Sequence, residues 1–135
     1  MRLAIIGSRD FKDKEFIYNK LNELLKDSTI DLVVSGGAVG PDTIGIEWAK
    51  ERNIPFEEYL ADWKNMSEPC VVRYGKWGPY NALAGLKRNT TIIENCDVVI
   101  AFWDFKSKGT KDSIEKANKL DKIVIIVNVP SNILL

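Results

Sequence analysis

Short apolar runs alternate with segments of helical periodicity along almost the whole chain, and this alternation limits the fold more than any other feature. Residues 3–6, 31–34, 98–103 and 123–129 are nearly continuous in apolar side chains, as in strands that are buried on both faces of a sheet. A weaker run at residues 54–60 contains a proline and suits an edge strand. Strands that alternate with helices are typical of parallel sheets. We therefore predict an α/β fold: a doubly wound, mainly parallel sheet of about five strands in the order 3-2-1-4-5, with helices on both faces.

Length and composition set the class of protein. With 135 residues we expect a single domain over residues 1–135, in which residues 62–81 form an aromatic-rich loop or lid. No segment approaches the ~20 apolar residues of a membrane helix and no signal-peptide pattern is present, so we expect no membrane partner and a cytoplasmic location. The chain has two cysteines and no histidine, which excludes the usual zinc sites and histidine-activated nucleophiles, and we expect no metal site. Nineteen basic residues balance nineteen acidic ones, which leads us to expect no nucleic-acid partner.

Three loops of unusual composition follow three of the predicted strands. In doubly wound sheets, ligands bind beyond the carboxyl ends of the strands, where helix N-termini expose unpaired N–H groups. Glycine lets backbone amides approach a ligand closely, and hydroxyl and cationic side chains add hydrogen-bond donors. The loops therefore predict a cradle for a phosphate group. Its candidate ligand-binding residues are Gly7, Ser8, Arg9 and Asp10 in the first loop; Ser35, Gly36, Gly37, Ala38, Gly40 and Asp42 in the second; and Ser107, Gly109 and Thr110 in the third.

Single residues outside and inside these loops leave alternatives open. Asn89 follows Arg88 on the apolar stripe of a predicted helix, where it either satisfies a buried backbone group or contacts the ligand. Trp63 lies in the aromatic loop, where base stacking is favoured over a core role. Asp10 either holds ribose hydroxyls or caps the next helix, and Asp42 suits a helix N-cap better than a ligand contact. Arg88, Asn89 and Trp63 join the candidate ligand-binding residues, and no catalytic residue is assigned.

Neither standard nucleotide-binding fingerprint is present. The chain contains no Gly-x-x-x-x-Gly-Lys-[Ser/Thr] sequence, and the first loop has one glycine where a dinucleotide site has Gly-x-Gly-x-x-Gly. The sequence thus indicates a Rossmann-like nucleotide binder with a different loop pattern, rather than a kinase, a GTPase or an ordinary dehydrogenase.

The motifs match those of a known family in order. Gly7-Ser8-Arg9-Asp10-Phe11, Val34-Ser35-Gly36-Gly37-Ala38, Ala61-Asp62-Trp63, Arg88-Asn89 and Ser107 with Gly109-Thr110 resemble the YspA-like, cpYpsA-related branch of the SLOG superfamily. The likeness extends over nearly the whole chain. It implies a Rossmann-like domain that binds a phosphate-bearing nucleotide or nucleotide derivative, such as NAD or ADP-ribose, as a sensor or signalling module. No cofactor is implied, and because SLOG relatives are commonly oligomers, the resemblance implies a homo-oligomer.

Two relatives within the superfamily define alternative functions. In LOG-type phosphoribohydrolases the third loop reads Pro-Gly-Gly-x-Gly-Thr-x-x-Glu, and the glutamate helps to cleave an N-glycosidic bond. Here Gly109-Thr110 matches, but Ser113 occupies the glutamate position, with Asp112 and Glu115 out of register. A nucleotide hydrolase is the first alternative, and the sequence leaves open whether the protein is an enzyme. The Smf/DprA proteins have glycine-rich loops close to those here and bind single-stranded DNA, which is the second alternative.

Overall fold

The computed structural model describes residues 1–66, 71–76, 78–81 and 83–130. Five of its strands form one sheet in which every neighbouring pair is parallel, and two form a separate antiparallel hairpin. The elements in chain order are β1 (Arg2–Gly7), α1 (Lys14–Leu24), β2 (Leu32–Ser35), α2 (Pro41–Glu51), β3 (Phe56–Glu58), β4 (Val72–Gly75), β5 (Gly78–Asn81), α3 (Ala84–Glu94), β6 (Val98–Trp103), α4 (Lys108–Lys119) and β7 (Ile123–Asn128).

The five-stranded sheet has the order β3-β2-β1-β6-β7. Because β4 and β5 form the hairpin, β6 and β7 are the fourth and fifth strands of the sheet, and the predicted order 3-2-1-4-5 is confirmed. An α/β protein with a five-stranded parallel sheet is therefore what the chain forms. The weakly alternating run at residues 54–60 contains β3, which lies at one edge of the sheet as predicted.

Alternate side chains of the central strand β1 enter two different cores. Leu3 and Ile5 pack with buried residues of α1 and α2, whereas Ala4 and Ile6 pack with buried residues of α3 and α4. This separation follows from the period of two along a strand, which sends neighbouring side chains to opposite faces of the sheet. Among the described residues, no helix is both long enough and apolar enough to span a bilayer.

The segment predicted as an aromatic loop contains the hairpin of β4 and β5. The pattern missed it because all four residues of β4 are exposed, so no alternation of buried and exposed residues marks the strand. The hairpin is attached to the preceding chain by Asn81, whose backbone N donates to the Trp63 oxygen (2.6 Å) and whose side chain donates to the Asn65 oxygen (3.1 Å). Cys70 and Trp77 lie outside the described residues. The role of this segment as a lid stays a prediction.

The first two helices begin differently. Asp13 caps α1, because its carboxylate accepts a hydrogen bond from the Phe16 backbone N at 3.1 Å. The alternative role of Asp10 as this cap is therefore wrong. The N-cap of α2 is Gly40, so the preferred N-cap role of Asp42 is also wrong. Asp42 is the second residue of α2, after Pro41, and its carboxylate turns towards the end of the sheet.

The strand β7 lies at the other edge of the described sheet and leaves apolar side chains exposed. Ile123 and Ile126 retain 62% and 41% of their accessible surface. An apolar edge of this kind invites pairing with another chain. Residues 131–135 lie outside the described residues, and the homo-oligomer stays a prediction.

Candidate functional site

Three loops meet at the carboxyl edge of the parallel sheet. Loop 1 (residues 8–13) follows β1, loop 2 (36–40) follows β2 and loop 3 (104–107) follows β6. They surround a small cavity of about 80 Å³, which we call the phosphate pocket after the ligand that the sequence predicts. Its eleven lining residues are Ile6, Gly7, Arg9, Ala38, Asp42, Arg88, Asn89, Ser107, Gly109, Thr110 and Ser113. Nine of these eleven were candidates from the sequence, and Ile6 and Ser113 are the exceptions.

Loop 1 and loop 2 pass each other at Gly40, where a side chain has no room. Gly40 has φ +89° and ψ −140°. A Cβ atom there would lie 2.9 Å from the Arg9 oxygen and 3.1 Å from the oxygens of Ser8 and Phe11. Because this backbone conformation and this close approach both require glycine, Gly40 determines the geometry of the two loops, and its contact with a ligand stays a prediction.

Two candidate serines are buried beneath the loops instead of facing the pocket. The Ser8 hydroxyl accepts a hydrogen bond from the Asp104 backbone N at 3.1 Å, which joins loop 1 to loop 3. The Ser35 hydroxyl lies 3.1 Å from the Ile5 oxygen and 3.0 Å from the Asp42 oxygen, which joins β2 to β1 and α2. Both side chains therefore hold the loops in place, and neither lines the phosphate pocket itself.

Two guanidinium groups face the phosphate pocket from different elements. Arg9 is exposed in loop 1, and Arg88 is partly buried on α3. Arg88 donates from Nη1 to the Gly36 oxygen at 3.0 Å and from Nε to Asn89 Oδ1 at 3.2 Å. Burial lowers the pKa of Arg88; the carboxylate of Asp42 opposes this shift, and the positive charge of Arg9 adds to it. Two like charges that line one cavity favour an anion between them.

Asp42 is the acidic counterpart of the two arginines. Its buried carboxylate accepts hydrogen bonds from the backbone N of Gly36 (3.3 Å) and from that of Gly7. Burial raises the pKa of Asp42 to about 6, against the opposing effects of Arg88 and the backbone donors. The carboxylate is therefore mostly ionised at neutral pH. Two positive charges and one negative charge then leave the pocket with one net positive charge, which is opposite and equal to the charge of a phosphodiester.

The raised pKa of Asp42 predicts a pH-dependent stability. The pKa of Asp42 is about 6 in the folded protein and has the ordinary value of 3.8 in the unfolded chain. The folded protein therefore binds the proton of this carboxyl group more tightly than the unfolded chain does. The resulting stabilisation is complete below about pH 4 and is lost as the pH rises through about 6. At about 1.4 kcal/mol per pKa unit it amounts to at most about 3 kcal/mol. Urea unfolding of the wild type and Asp42→Asn at several pH values from 4.5 to 7.5 measures it. The wild type should gain stability relative to the variant as the pH falls, and a constant difference would contradict the prediction.

Asn89 bonds a backbone group, one of the two roles that the sequence left open, while its contact with a ligand stays a prediction. Its side chain lines the phosphate pocket and also donates to the Gly109 oxygen (3.4 Å) and to Asp112 (3.3 Å). Ser107 caps α4 through a bond from the Thr110 backbone N to its hydroxyl, and the two hydroxyls lie 3.1 Å apart. The N-terminus of α4, with its partial positive charge, therefore lies beside the pocket.

The position that corresponds to the hydrolase glutamate lies in the pocket but carries a hydroxyl. Ser113 is buried there, whereas the Asp112 carboxylate binds Asn89 and the Lys116 ammonium, the latter at 2.9 Å. Among the described residues that line the pocket, Asp42 is the one carboxylate. No described group of three His, Cys, Asp or Glu side chains could hold a metal ion. The nucleotide-hydrolase alternative stays a prediction, and Ser113 supplies no carboxylate for it.

Two larger cavities adjoin the phosphate pocket, and Arg9 lines all three. The Trp63 cavity, of about 360 Å³, also contains Gly36, Gly37, Ala38, Val39, Leu60, Ala61, Trp63 and Arg88. The loop-3 cavity, of about 390 Å³, also contains Ser8, Asp10, Asp104, Lys106, Ser107 and Gly109. Both volumes lie within the range of about 300–1,000 Å³ that is usual for ligand pockets. Five residues that line these cavities were not candidates, although each is within a few residues of one: Val39, Leu60, Ala61, Asp104 and Lys106.

One family model, one curated relative and two solved structures are similar to this chain. The model of the YspA, cpYpsA-related SLOG family matches residues 1–66. The Gene 61 protein of Mycobacterium phage D29 is 32% identical over 125 residues, which cover 87% of this chain and 89% of the phage protein. DNA processing protein A (DprA) from Helicobacter pylori, whose structure is described in terms of its single-stranded DNA binding mode, superposes with a TM-score of 0.67 at 25% identity, over 98% of this chain and 67% of that one. DprA from Streptococcus pneumoniae has a TM-score of 0.69 at 20% identity; the match covers 98% of this chain but only 51% of that one.

The likeness to a single-stranded DNA-binding protein corrects one expectation. The balanced charge of the chain led us to expect no nucleic-acid partner, and that exclusion is wrong. Net charge is an average over the whole surface, whereas a phosphate responds to the charges within a Debye length of about 10 Å at 0.1 M salt. Arg9 and Arg88 supply a local positive charge that the average conceals.

Proposed function

Because the chain belongs to the YspA, cpYpsA-related SLOG family, we propose that it binds single-stranded DNA and holds one backbone phosphate in the pocket between Arg9 and Arg88. The observation that carries this proposal is the pair of guanidiniums that line one small cavity with a single buried carboxylate. The single net positive charge of the pocket matches the single negative charge of a phosphodiester. We also propose that the sheet is doubly wound, as in Rossmann-like domains. The proposed binding requires no cofactor.

The cavities on either side of the phosphate pocket favour a strand over an isolated phosphate. The Trp63 cavity and the loop-3 cavity share Arg9 with the pocket, so they offer room for the nucleotides before and after the bound phosphate. Trp63 is held in place by edge contact with Tyr80, with ring centroids 6.0 Å apart, and by contact with Gly85, where a Cβ would lie 2.8 Å from the indole. An aromatic ring fixed beside a phosphate site suits the stacking of a base. The DNA-binding relative from Helicobacter pylori supports the same ligand class.

Fluorescence anisotropy with a labelled thymidine oligonucleotide tests this function. We expect binding that weakens with salt, with a log–log slope of about −0.7 for each neutralised phosphate of a single strand. If Arg9 and Arg88 neutralise one or two phosphates, the slope of log affinity against log salt concentration should lie between about −0.7 and −1.4. Duplex DNA of the same length is the control and should bind more weakly, because its bases cannot reach the flanking cavities. Absence of binding at 50 mM salt would overturn the proposal.

A free nucleotide is the second candidate ligand, with the protein then acting as a sensor or signalling module. Two cavities of nucleoside size on either side of one phosphate pocket also suit a dinucleotide such as NAD, or ADP-ribose. Calorimetry with ADP-ribose and with adenosine separates the candidates. Tight binding of ADP-ribose, with adenosine weaker and no binding of the oligonucleotide, would favour the nucleotide over DNA.

A further inference from the structure

Loop 3 presents an exposed aromatic side chain in an unfavourable backbone conformation. Phe105 has φ +63°, in the left-handed region that large side chains seldom adopt, and 56% of its surface is exposed. Glycine or asparagine would suit this position better on folding grounds alone. Such outliers persist where the surrounding structure enforces them, and they are concentrated at functional sites.

The ring of Phe105 is stacked on the indole of Trp103. The ring centroids are 4.4 Å apart and the planes differ by 29°. The indole is itself held, because Trp103 Nε1 donates to the Ser107 oxygen at 3.0 Å and the Trp103 backbone ends the sheet strand β6. Phe105 therefore rests on a fixed aromatic support.

The backbone on both sides of Phe105 is fixed by hydrogen bonds. Asp104 Oδ1 accepts from the backbone N of Lys106 at 2.9 Å and from that of Ser107 at 2.8 Å. The Asp104 backbone N donates to the Ser8 hydroxyl at 3.1 Å, which ties the turn to loop 1. A side chain held in this way loses little conformational entropy when a ligand covers it.

The aromatic pair lies beside the proposed path of the DNA strand. Asp104 and Lys106, the two neighbours of Phe105, line the loop-3 cavity together with Arg9. Arg9 also lines the phosphate pocket. In the loop-3 cavity the cations Arg9 and Lys106 are balanced by the carboxylates of Asp10 and Asp104, so this cavity is polar and carries no net charge. An exposed aromatic ring beside a polar cavity that contains Arg9 fits a nucleotide, whose phosphate is anionic and whose base has an apolar face. It does not fit a purely apolar partner.

We propose that Phe105, supported by Trp103, is a stacking platform for a base of the DNA strand, adjacent to the nucleotide whose phosphate lies at Arg9. The inference rests on the proposed function and extends it, because it assigns a base subsite on the loop-3 side of the pocket, opposite Trp63. Stacking on an aromatic ring tolerates any base, so the platform adds affinity without sequence preference.

Anisotropy with Phe105→Gly tests the platform. Glycine suits the backbone conformation at this position, so the variant should stay folded. Its melting temperature, compared with that of the wild type, checks this. We expect its affinity for the oligonucleotide to fall about tenfold while the salt slope stays unchanged, since the phosphate contacts remain. Phe105→Tyr keeps an aromatic face and is the matched control, with affinity near that of the wild type.

A strand with abasic sites distinguishes stacking from an indirect effect on the loop. The wild type should bind the abasic strand more weakly than the intact strand. The ratio of these two affinities should be smaller for Phe105→Gly than for the wild type. If the wild type binds the oligonucleotide and Phe105→Gly binds it equally well, the platform is wrong and the proposed function stands. If the wild type does not bind, both are wrong.

Discussion

Replacement of Arg88 by methionine should weaken the binding of single-stranded DNA by about 10- to 100-fold, the loss expected for one charge-assisted hydrogen bond. Arg88 faces the phosphate pocket, and its Nη1 also holds the Gly36 oxygen in loop 2. Methionine keeps much of the length of the side chain and removes both its charge and its donors. Anisotropy titrations at several salt concentrations measure the affinity and the slope, and the slope should fall by about 0.7.

Lys87→Met is the matched control for this experiment. Lys87 precedes Arg88 on α3 and carries the same charge, but it does not line the phosphate pocket. Its replacement removes one positive charge from the same helix, so any general effect of net charge appears in both variants. Lys87 is exposed and lines a neighbouring cavity with Arg88, so we expect less than about a twofold loss for Lys87→Met, as for a solvent-screened surface charge. Equal losses in the two variants would mean that Arg88 acts only as a distant charge.

Periodicity revealed the sheet because burial imposes a pattern on sequence. The strands β1, β6 and β7 lie in apolar runs, and their alternation with helices led to the correct sheet order. The hairpin had no such signal because β4 is exposed along its whole length. A hydrophobic pattern in the sequence reports burial, so it does not reveal a strand whose residues are all exposed.

The candidate site was located from sequence but its internal contacts were not. Glycine-rich loops after strands predicted that the candidate ligand-binding residues lie together, because parallel strands bring their carboxyl ends to one edge. The bond from Arg88 to the Gly36 oxygen joins residues that are far apart in the chain, and no local pattern contains it. The role of Asp42 was misjudged for a related reason. The conformation of Gly40, at φ +89°, starts α2 two residues earlier, which places Asp42 beneath the pocket instead of at the cap.

Gly40→Ala should lower the free energy of unfolding by about 2–4 kcal/mol, the sum of a backbone conformation that only glycine adopts readily and a steric conflict in a packed region. The added Cβ would lie within 3.1 Å of three carbonyl oxygens of loop 1. These belong to the backbone and cannot turn aside as a flexible side chain could, so loop 1 and loop 2 must separate. Urea unfolding measures the loss of stability.

Gly109→Ala provides the matched control, because it adds the same methyl group at another glycine of the same site. No atom lies within 4 Å of a Cβ at Gly109, and the residue is in the first turn of α4. Alanine should therefore leave stability unchanged or raise it by up to about 1 kcal/mol through its higher helix propensity. If Gly40→Ala proved as stable as Gly109→Ala, contact between loop 1 and loop 2 could not be what fixes the pocket. If it is destabilised as expected, its DNA affinity should also fall, because separation of the two loops moves Arg9 away from Arg88, and their shared phosphate then loses one of its two cations.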